Sequence, residues 1–374
     1  MPNKAKYDAS VRKGEVQQLV AQLDSMRRNS DHPVEVTLAE LVTKRYGVSM
    51  DAFFEELGFN PAIDTIQNIF TMPDVSVRWL VPEIIREAVR LGLRKAAIWP
   101  DLVAMEETIK QTQATIPHLN MSDAAPKYVN EGETIPLGDI SYGQKDFKIR
   151  KIGRGIKTTY EVMNYCSINV VSIFLQDFGI KLGQSMDALL IDTLINGEQT
   201  NGSESAPVIG VGTVGSVTYK DLLKVWIRMA RIGKSPKAII GGEDAALNTL
   251  DLPEFKTNVN GGTQPAGVPS SSALTLKSPI PKNANYYIHG AVPDDQQIII
   301  DPSSAIVKYN AQPLLVESDK IVSNQTMSTF ASLTTGFGIL FRDSRVVLDS
   351  SVTFAAAGFP AYMDVDAIEQ AIID

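Results

Sequence analysis

The 374-residue sequence has a single cysteine, Cys166, and three histidines, His32, His118 and His289. One cysteine excludes an intramolecular disulfide and leaves no thiolate set for a metal. The histidines lie far apart, and none stands in a metal-binding spacing such as H-x-x-x-H. No run approaches the ~18 consecutive apolar residues of a spanning helix. Met1 to Glu15 is polar and lacks the apolar core of a secretory signal. Positive charge is also short: 35 Lys and Arg against 43 Asp and Glu give a formal net charge of -8. Nucleic-acid binding by bulk electrostatics is therefore not expected. Most enzyme classes lose their usual residues, so no catalysis, metal or cofactor is expected. What remains is a soluble protein of the cytoplasm, or of something assembled there, with no membrane partner.

The composition present is globular. Hydrophobic residues make up 44% and charged residues 21%, which excludes a disordered or collagen-like chain. The length suggests about two or three domains at ~150 residues each.

The first seventy residues read as short helices. Val16, Leu19, Val20 and Leu23 have helical spacing. Thr37 and Glu40 form a capping box opening a helix to about Tyr46. Ser49 opens another with Phe53, Phe54 and Leu57 on one face, ended by Gly58. A helix-turn-helix reading fails for want of a basic second helix, since Asp51 to Leu57 carries three acids and no Lys or Arg. Pro82 suits the first turn of a further helix lined by Ile84, Ile85, Ala88, Val89 and Leu91. It bears a basic stripe of Arg86, Arg90, Arg94 and Lys95. Thr108 to Ile116 reads as a strand.

From Ser122 to Thr159 glycine and proline punctuate short extended runs, which reads as a long two-stranded hairpin. The first arm is acidic through Asp123, Glu131, Glu133 and Asp139. The second is basic through Lys145, Lys148, Arg150, Lys151, Arg154 and Lys157. Pairing between the arms accounts for such charges at ~0.2–1 kcal/mol per pair. A hairpin this poor in core residues is marginal alone in water, so it calls for another surface, such as a second copy of the chain.

Glu161 to Ile195 reads as one long amphipathic helix, with Val162, Cys166, Val170, Phe174, Phe178, Leu182, Met186, Leu189 and Leu190 on its apolar side. Cys166 is expected there as buried filler. Gly179 and Gly183 are expected to weaken or bend it by about 1 kcal/mol each. A mixed α/β region follows. Helices are expected from Thr218 to Ala230 and Gly242 to Leu250, and strands at 238–240, 286–289, 297–300, 305–310, 314–317, 327–342, 346–348 and 352–355. Asn258 to Ser272 is expected to be a mobile loop. Gly210-Val-Gly212-Thr-Val-Gly215 matches G-x-G-x-x-G by letter. The helix after it starts late, and Ser235 stands where a dinucleotide site needs an acid. His289 reads as structural, and Glu106-Glu107 and Asp294-Asp295 as solvated acids.

The order of these pieces, with Glu131-Gly-Glu-Thr-Ile-Pro136, the alternating Gln144 to Lys157, Thr158-Thr-Tyr-Glu161 and the closing Asn324 to Arg345, resembles the major capsid proteins of tailed double-stranded DNA bacteriophages, the Hong Kong 97-type capsid fold. The resemblance spans about Val77 to Ala356. It implies an α+β fold: an N-terminal helical arm (1–75), the start of a peripheral domain (76–121), an extended hairpin or E-loop (122–159), a spine helix (160–198), an α/β axial domain (199–325) and closing strands with an acidic tail (326–374). It implies a structural, self-assembling virion protein, built in the host cytoplasm. Copies of the chain would form hexamers and pentamers of an icosahedral shell, with scaffolding, portal and decoration proteins as further partners. Double-stranded DNA would be held by enclosure; an encapsulin-like nanocompartment shell is the alternative. The expected contact set is Glu131, Glu133, Lys145, Lys148, Arg150, Lys151, Arg154 and Lys157 on the E-loop. Their expected acidic partners on a neighbour are Asp177, Asp187, Asp192, Asp364, Asp366 and Glu369.

Overall fold

The computed structural model describes residues 16–23, 25, 37–58, 60, 63–65, 81–109, 113–119, 131–132, 140–198, 205–252, 273–275 and 284–354. The chain divides into two compact units, one of 1–97, 150–185 and 310–335, the other of 98–149, 186–309 and 336–374. The fold is α+β.

In the first unit, α1 (residues 16–23) buries Val16, Leu19, Val20 and Leu23. The capping box forms as expected: the Glu40 amide donates to Thr37 Oγ1 at 3.0 Å and the Thr37 amide to Glu40 Oε2 at 3.3 Å, opening α2 (Leu38–Tyr46). Ser49 caps α3 (Met50–Glu56), and Tyr46 and Phe53 stack with ring centroids 6.0 Å apart. The two helices thus pack on each other.

Next comes α4 (Val81–Ala96), which buries Ile85, Ala88, Val89 and Leu93. The expected long helix is broken into α6 (Tyr160–Tyr165) and α7 (Ile168–Asn196), with α5 (Trp99–Leu102) earlier in the chain. The break is at Cys166, whose backbone is extended at φ -93° and ψ 136°. Ser167 bridges to Thr65, and the Ile168 amide donates to Asp64 O at 3.1 Å. A residue from 64–65 thus takes the amide that a continuous helix would satisfy, a distant partner that periodicity cannot encode. Cys166 is accordingly half-buried at the break rather than buried filler.

Gly179 and Gly183 do not interrupt α7, and they let it touch α4. A Cβ on Gly179 would lie 2.1 Å from Val89 O, one on Gly183 2.9 Å from Leu93 O, and one on Gly92 2.0 Å from Gln176 O. The helices meet backbone to backbone, with no room for a methyl group.

The strands are β1 (Met105–Thr108), β2 (Gln113–Leu119), β3 (Ile140–Lys148), β4 (Arg150–Thr159), β5 (Val208–Val211), β6 (Ala238–Gly241), β7 (Ala273–Thr275), β8 (Asn285–Ile288), β9 (Gln296–Ile300), β10 (Ile306–Ile321), β11 (Thr326–Ile339) and β12 (Arg345–Thr353). They form a four-stranded sheet in the order β1-β10-β11-β4, a two-stranded sheet β2-β3, and a six-stranded sheet β5-β12-β9-β6-β8-β7. The two strands expected at 305–310 and 314–317 are one, β10. Beyond the four-residue β1, one edge of β10 has no described strand beside it, and Pro313 fits such an edge without losing a ladder bond. The runs at 346–348 and 352–355 likewise merge into β12.

The six-stranded sheet lies in the second unit, together with α8 (Tyr219–Arg231) and α9 (Glu243–Leu250). Neighbouring residues alternate between two cores, as a period of two requires. Ile239, Ile299, Tyr286, Val346 and Leu348 pack with Leu222, Val225, Trp226 and Met229 of α8. Ile240, Ile298, Ile300, Tyr287 and Val347 pack with Leu190, Ile191 and Leu194 of α7. A sheet covered on both faces reads as continuous apolar runs, which is why these short strands were legible. Two buried groups hold the C-terminal end of α7. Arg345 Nε donates to Leu194 O at 2.8 Å, and Glu198 Oε1 accepts from the Ile339 amide at 2.7 Å.

Gly179→Ala reverses the usual sign of a helix substitution. In an open helix alanine gains up to about 1 kcal/mol; here overpacking is expected to cost about 1–3 kcal/mol, read as a lower midpoint in urea unfolding.

Candidate functional site

The basic second arm of the expected Ser122 to Thr159 hairpin is split between β3 and β4, whose described partners both lie outside 122–159, while its acidic first arm lies outside the described residues except for Glu131 and Gly132. β3 pairs antiparallel with β2, placing Lys145 opposite Ile116, Phe147 opposite Ala114 and Lys148 opposite Gln113. The register shifts between Ile116 and His118, where Pro117 offers no amide to the ladder. β4 pairs instead with β11, from Arg150 opposite Thr335 to Thr159 opposite Thr326. Between them Ile149 packs against the buried Val307 and Tyr309. The basic run is thus split at Ile149 into Lys145 and Lys148 on the ribbon, and Arg150, Lys151, Arg154 and Lys157 on β4.

Along the ribbon the pairs Ala114–Phe147 and Ile116–Lys145 alternate with Gln113–Lys148 and Thr115–Asp146. Among the described residues the ribbon shares no strand with either larger sheet. Glu131 is exposed; Glu133 lies outside the described residues.

β4 is an edge strand, and Arg150, Lys151, Arg154 and Lys157 are all exposed. Its glycines serve the pairing. Gly155 stands opposite Phe330, and a Cβ there would meet the Phe330 ring at 2.7 Å. The ring lies over the glycine and covers backbone that lacks a side chain of its own. Lysine and arginine on the outer strand also guard a sheet edge against indiscriminate pairing.

The candidate acids separate clearly. Asp187 is 0% exposed and accepts from the Ile98 amide at 3.1 Å and the Trp99 amide at 3.0 Å. It is an internal group and no partner for a neighbour's lysine. Asp177 is exposed and pairs with Lys181 at 3.0 Å, one helical turn away. Such exposed pairs contribute little and exchange readily. Asp192 accepts from Asn196 Nδ2 at 2.8 Å. Asp364, Asp366 and Glu369 lie outside the described residues, as does Asn258 to Ser272.

Val162, Val170 and Phe174, read above as the core side of the long helix, are exposed. They form an uncovered row with Tyr165, at 84% exposure, and Ile173, at 65% like Phe174. The buried side of this half is Ile168, Leu175, Phe178 and Leu182. The signal that identifies the row is the crowding of Val170, Val171, Ile173, Phe174 and Leu175, which makes the helix apolar all round.

The Gly210 to Gly215 loop is occupied by its own chain. Asp221 accepts from the Gly212 amide at 3.2 Å and the Thr218 amide at 3.1 Å. Burial pushes its carboxyl up, but hydrogen bonds from Thr218, Lys224 and Gly212 outweigh that and hold it below the usual range. A carboxylate stands where a phosphate would have to bind. The Nδ1 of His289 accepts from the Ala291 amide at 3.1 Å, and burial lowers its pKa. Among the described residues no helix is long and apolar enough to cross a membrane.

No protein-family model matches the sequence, and no curated protein matches it. Solved structures do match. The virus-like particle from Pyrococcus furiosus is 12% identical over 71% of this chain and 97% of that one, with a TM-score of 0.46. The capsid of cyanophage P-SCSP1u is 16% identical over 68% of this chain and 88% of that one, with a TM-score of 0.47. The holo-SrpI encapsulin complex from Synechococcus elongatus is 13% identical over 67% of this chain and 86% of that one, with a TM-score of 0.45.

Reversing the charge of Lys151, Arg154 and Lys157 is expected to change subunit stability by no more than about 0.5 kcal/mol per site, because all three are exposed. Gly155→Val is expected to displace Phe330 and cost about 1–3 kcal/mol. Urea denaturation of the unassembled subunit measures both.

Proposed function

We propose that the chain is a structural shell subunit, a capsid protein of the Hong Kong 97 type, which assembles with its own copies into hexamers and pentamers of an icosahedral container. The observation that carries this reading is the β2–β3 ribbon, a two-stranded sheet that among the described residues is joined to neither of the others. A two-stranded ribbon is marginal in water by itself. A ribbon whose paired positions include Ala114, Ile116 and Phe147 gains from a surface supplied by another copy. The uncovered row on α6 and α7 offers apolar surface of the matching kind.

The order of elements supports the same reading: ribbon, edge strand, long helix, covered sheet and returning strands. In this reading Lys145, Lys148, Arg150, Lys151, Arg154 and Lys157, with Glu131 and Glu133 in the connection between the ribbon strands, set the register between copies. Asp177 and Asp192 remain as acids for them to meet, with Asp364, Asp366 and Glu369 of the tail. Such pairs govern specificity more than affinity. Many modest contacts per subunit add up to a durable closed shell. The virion is its place, the contents are double-stranded DNA held by enclosure, and scaffolding, portal and decoration proteins are its further partners.

Size-exclusion chromatography followed by electron microscopy tests the proposal. Closed hollow particles, or hexamers and pentamers, are the expected outcome, and their contents separate a genome container from an encapsulin-like cargo shell. A monomer or dimer persisting alone and with proteins encoded beside it would sink the reading. Reversing Lys148, Arg150 and Lys151 together is expected to abolish particles while the subunit stays folded; normal particles from that variant would remove the basic residues from the contact.

A further inference from the structure

Asp187 is a buried carboxylate that the shell reading does not use. It sits on α7 just after the chain enters the second unit at Met186. Its hydrogen bonds go to the amides of Ile98 and Trp99, where the chain enters the same unit for the first time. Eighty-nine residues separate Asp187 from Ile98, so one side chain ties two distant stretches of the unit together.

Its surroundings are poor in charge. One turn away on α7 stand Gly183, Gln184, Leu190 and Ile191, none of them titratable. From α5 comes Asp101, which accepts from Tyr287 Oη at 2.9 Å. From β10 comes Lys308, whose ammonium lies 3.2 Å from the centroid of the Trp99 ring and pairs with Glu106 at 3.3 Å. The last turn of α4 before the corner carries Arg94 and Lys95, both exposed. Among the described residues Asp187 has no ion-pair partner. A buried carboxylate with no cation and two backbone donors is poised between its charged and neutral forms.

We propose that Asp187 is a proton-operated clip: neutral, it locks the Ile98–Trp99 corner to α7; charged, it strains the corner so that it opens more readily. This goes beyond the shell reading and does not depend on it. Burial pushes the Asp187 carboxyl up to about 7, against the downward pull of the two amides. Opening returns the group to water and to the ordinary carboxylate value near 3.8. The closed corner therefore holds its proton more tightly than the open one. Its stability falls as pH rises from about 4 to about 7 and is level above that.

Hydrogen exchange of the segment 97–102, corrected for intrinsic rates, tests this on the intact chain. Protection at least tenfold higher at pH 5 than at pH 8 is expected, since each unit of pH below the raised pKa is worth up to tenfold. In Asp187→Asn, which keeps the shape and carries no charge, the dependence is expected to vanish. Equal protection at both pH values in the wild type would overturn the proposal, as would an Asp187→Asn variant retaining the wild-type dependence. If that variant does not fold, the wild-type comparison decides alone.

Discussion

Backbone-to-backbone contact between α4 and α7 is the constraint on which the first unit depends. Helices normally stand 8–10 Å apart because side chains hold them there. Here Gly92, Gly179 and Gly183 remove the side chains at the points of contact, and a carbonyl of the other helix fills each space. The approach spends part of α7's intrinsic helix propensity and returns it as packing. It also turns one side of α7 firmly inward, with Leu175, Phe178 and Leu182 buried. Val170, Ile173 and Phe174 are left outside. The uncovered row is thus a consequence of how tightly the opposite side is seated.

The second unit solves a different problem. Its short strands bury both faces, and their side chains alternate between a core shared with α8 and one shared with the end of α7. Several polar groups in that interior have backbone or side-chain partners. Gln297 donates to Ala245 O and to Thr249 Oγ1, Arg345 to Leu194 O, and Asp301 accepts from the Ser235 amide. Buried polar groups are tolerated where such bonds replace those to water. Asp187 satisfies its hydrogen bonds but not its charge, which sets it apart from the others.

Charge is distributed with the same economy. The net balance is acidic, yet four exposed cations are gathered on one edge strand and two more stand at register positions on the ribbon. Ile149, held by Val307 and Tyr309, divides the two groups.

Local chemistry determined a good deal by itself. Thr37 with Glu40, Ser49, and Thr218 with Asp221 announced three helix starts, because capping joins residues three apart. Ala238 to Ile240 and Gln297 to Ile300 were legible as strands, because burial on both faces leaves an unbroken apolar run. The gathering of basic residues between Lys145 and Lys157 was plain from composition alone. Pairing was not. Nothing local says that β4 joins β11, whose residues lie more than 160 positions away, rather than the neighbouring arm. The break at Cys166 depends on Asp64, the role of Gly179 depends on Val89, and the burial of Asp187 depends on Ile98 and Trp99. Sequence periodicity reports which side of an element is apolar. When a helix is apolar all round, only its tertiary neighbours decide which side is covered, and that choice created both the exposed row on α7 and the buried carboxylate on the same helix.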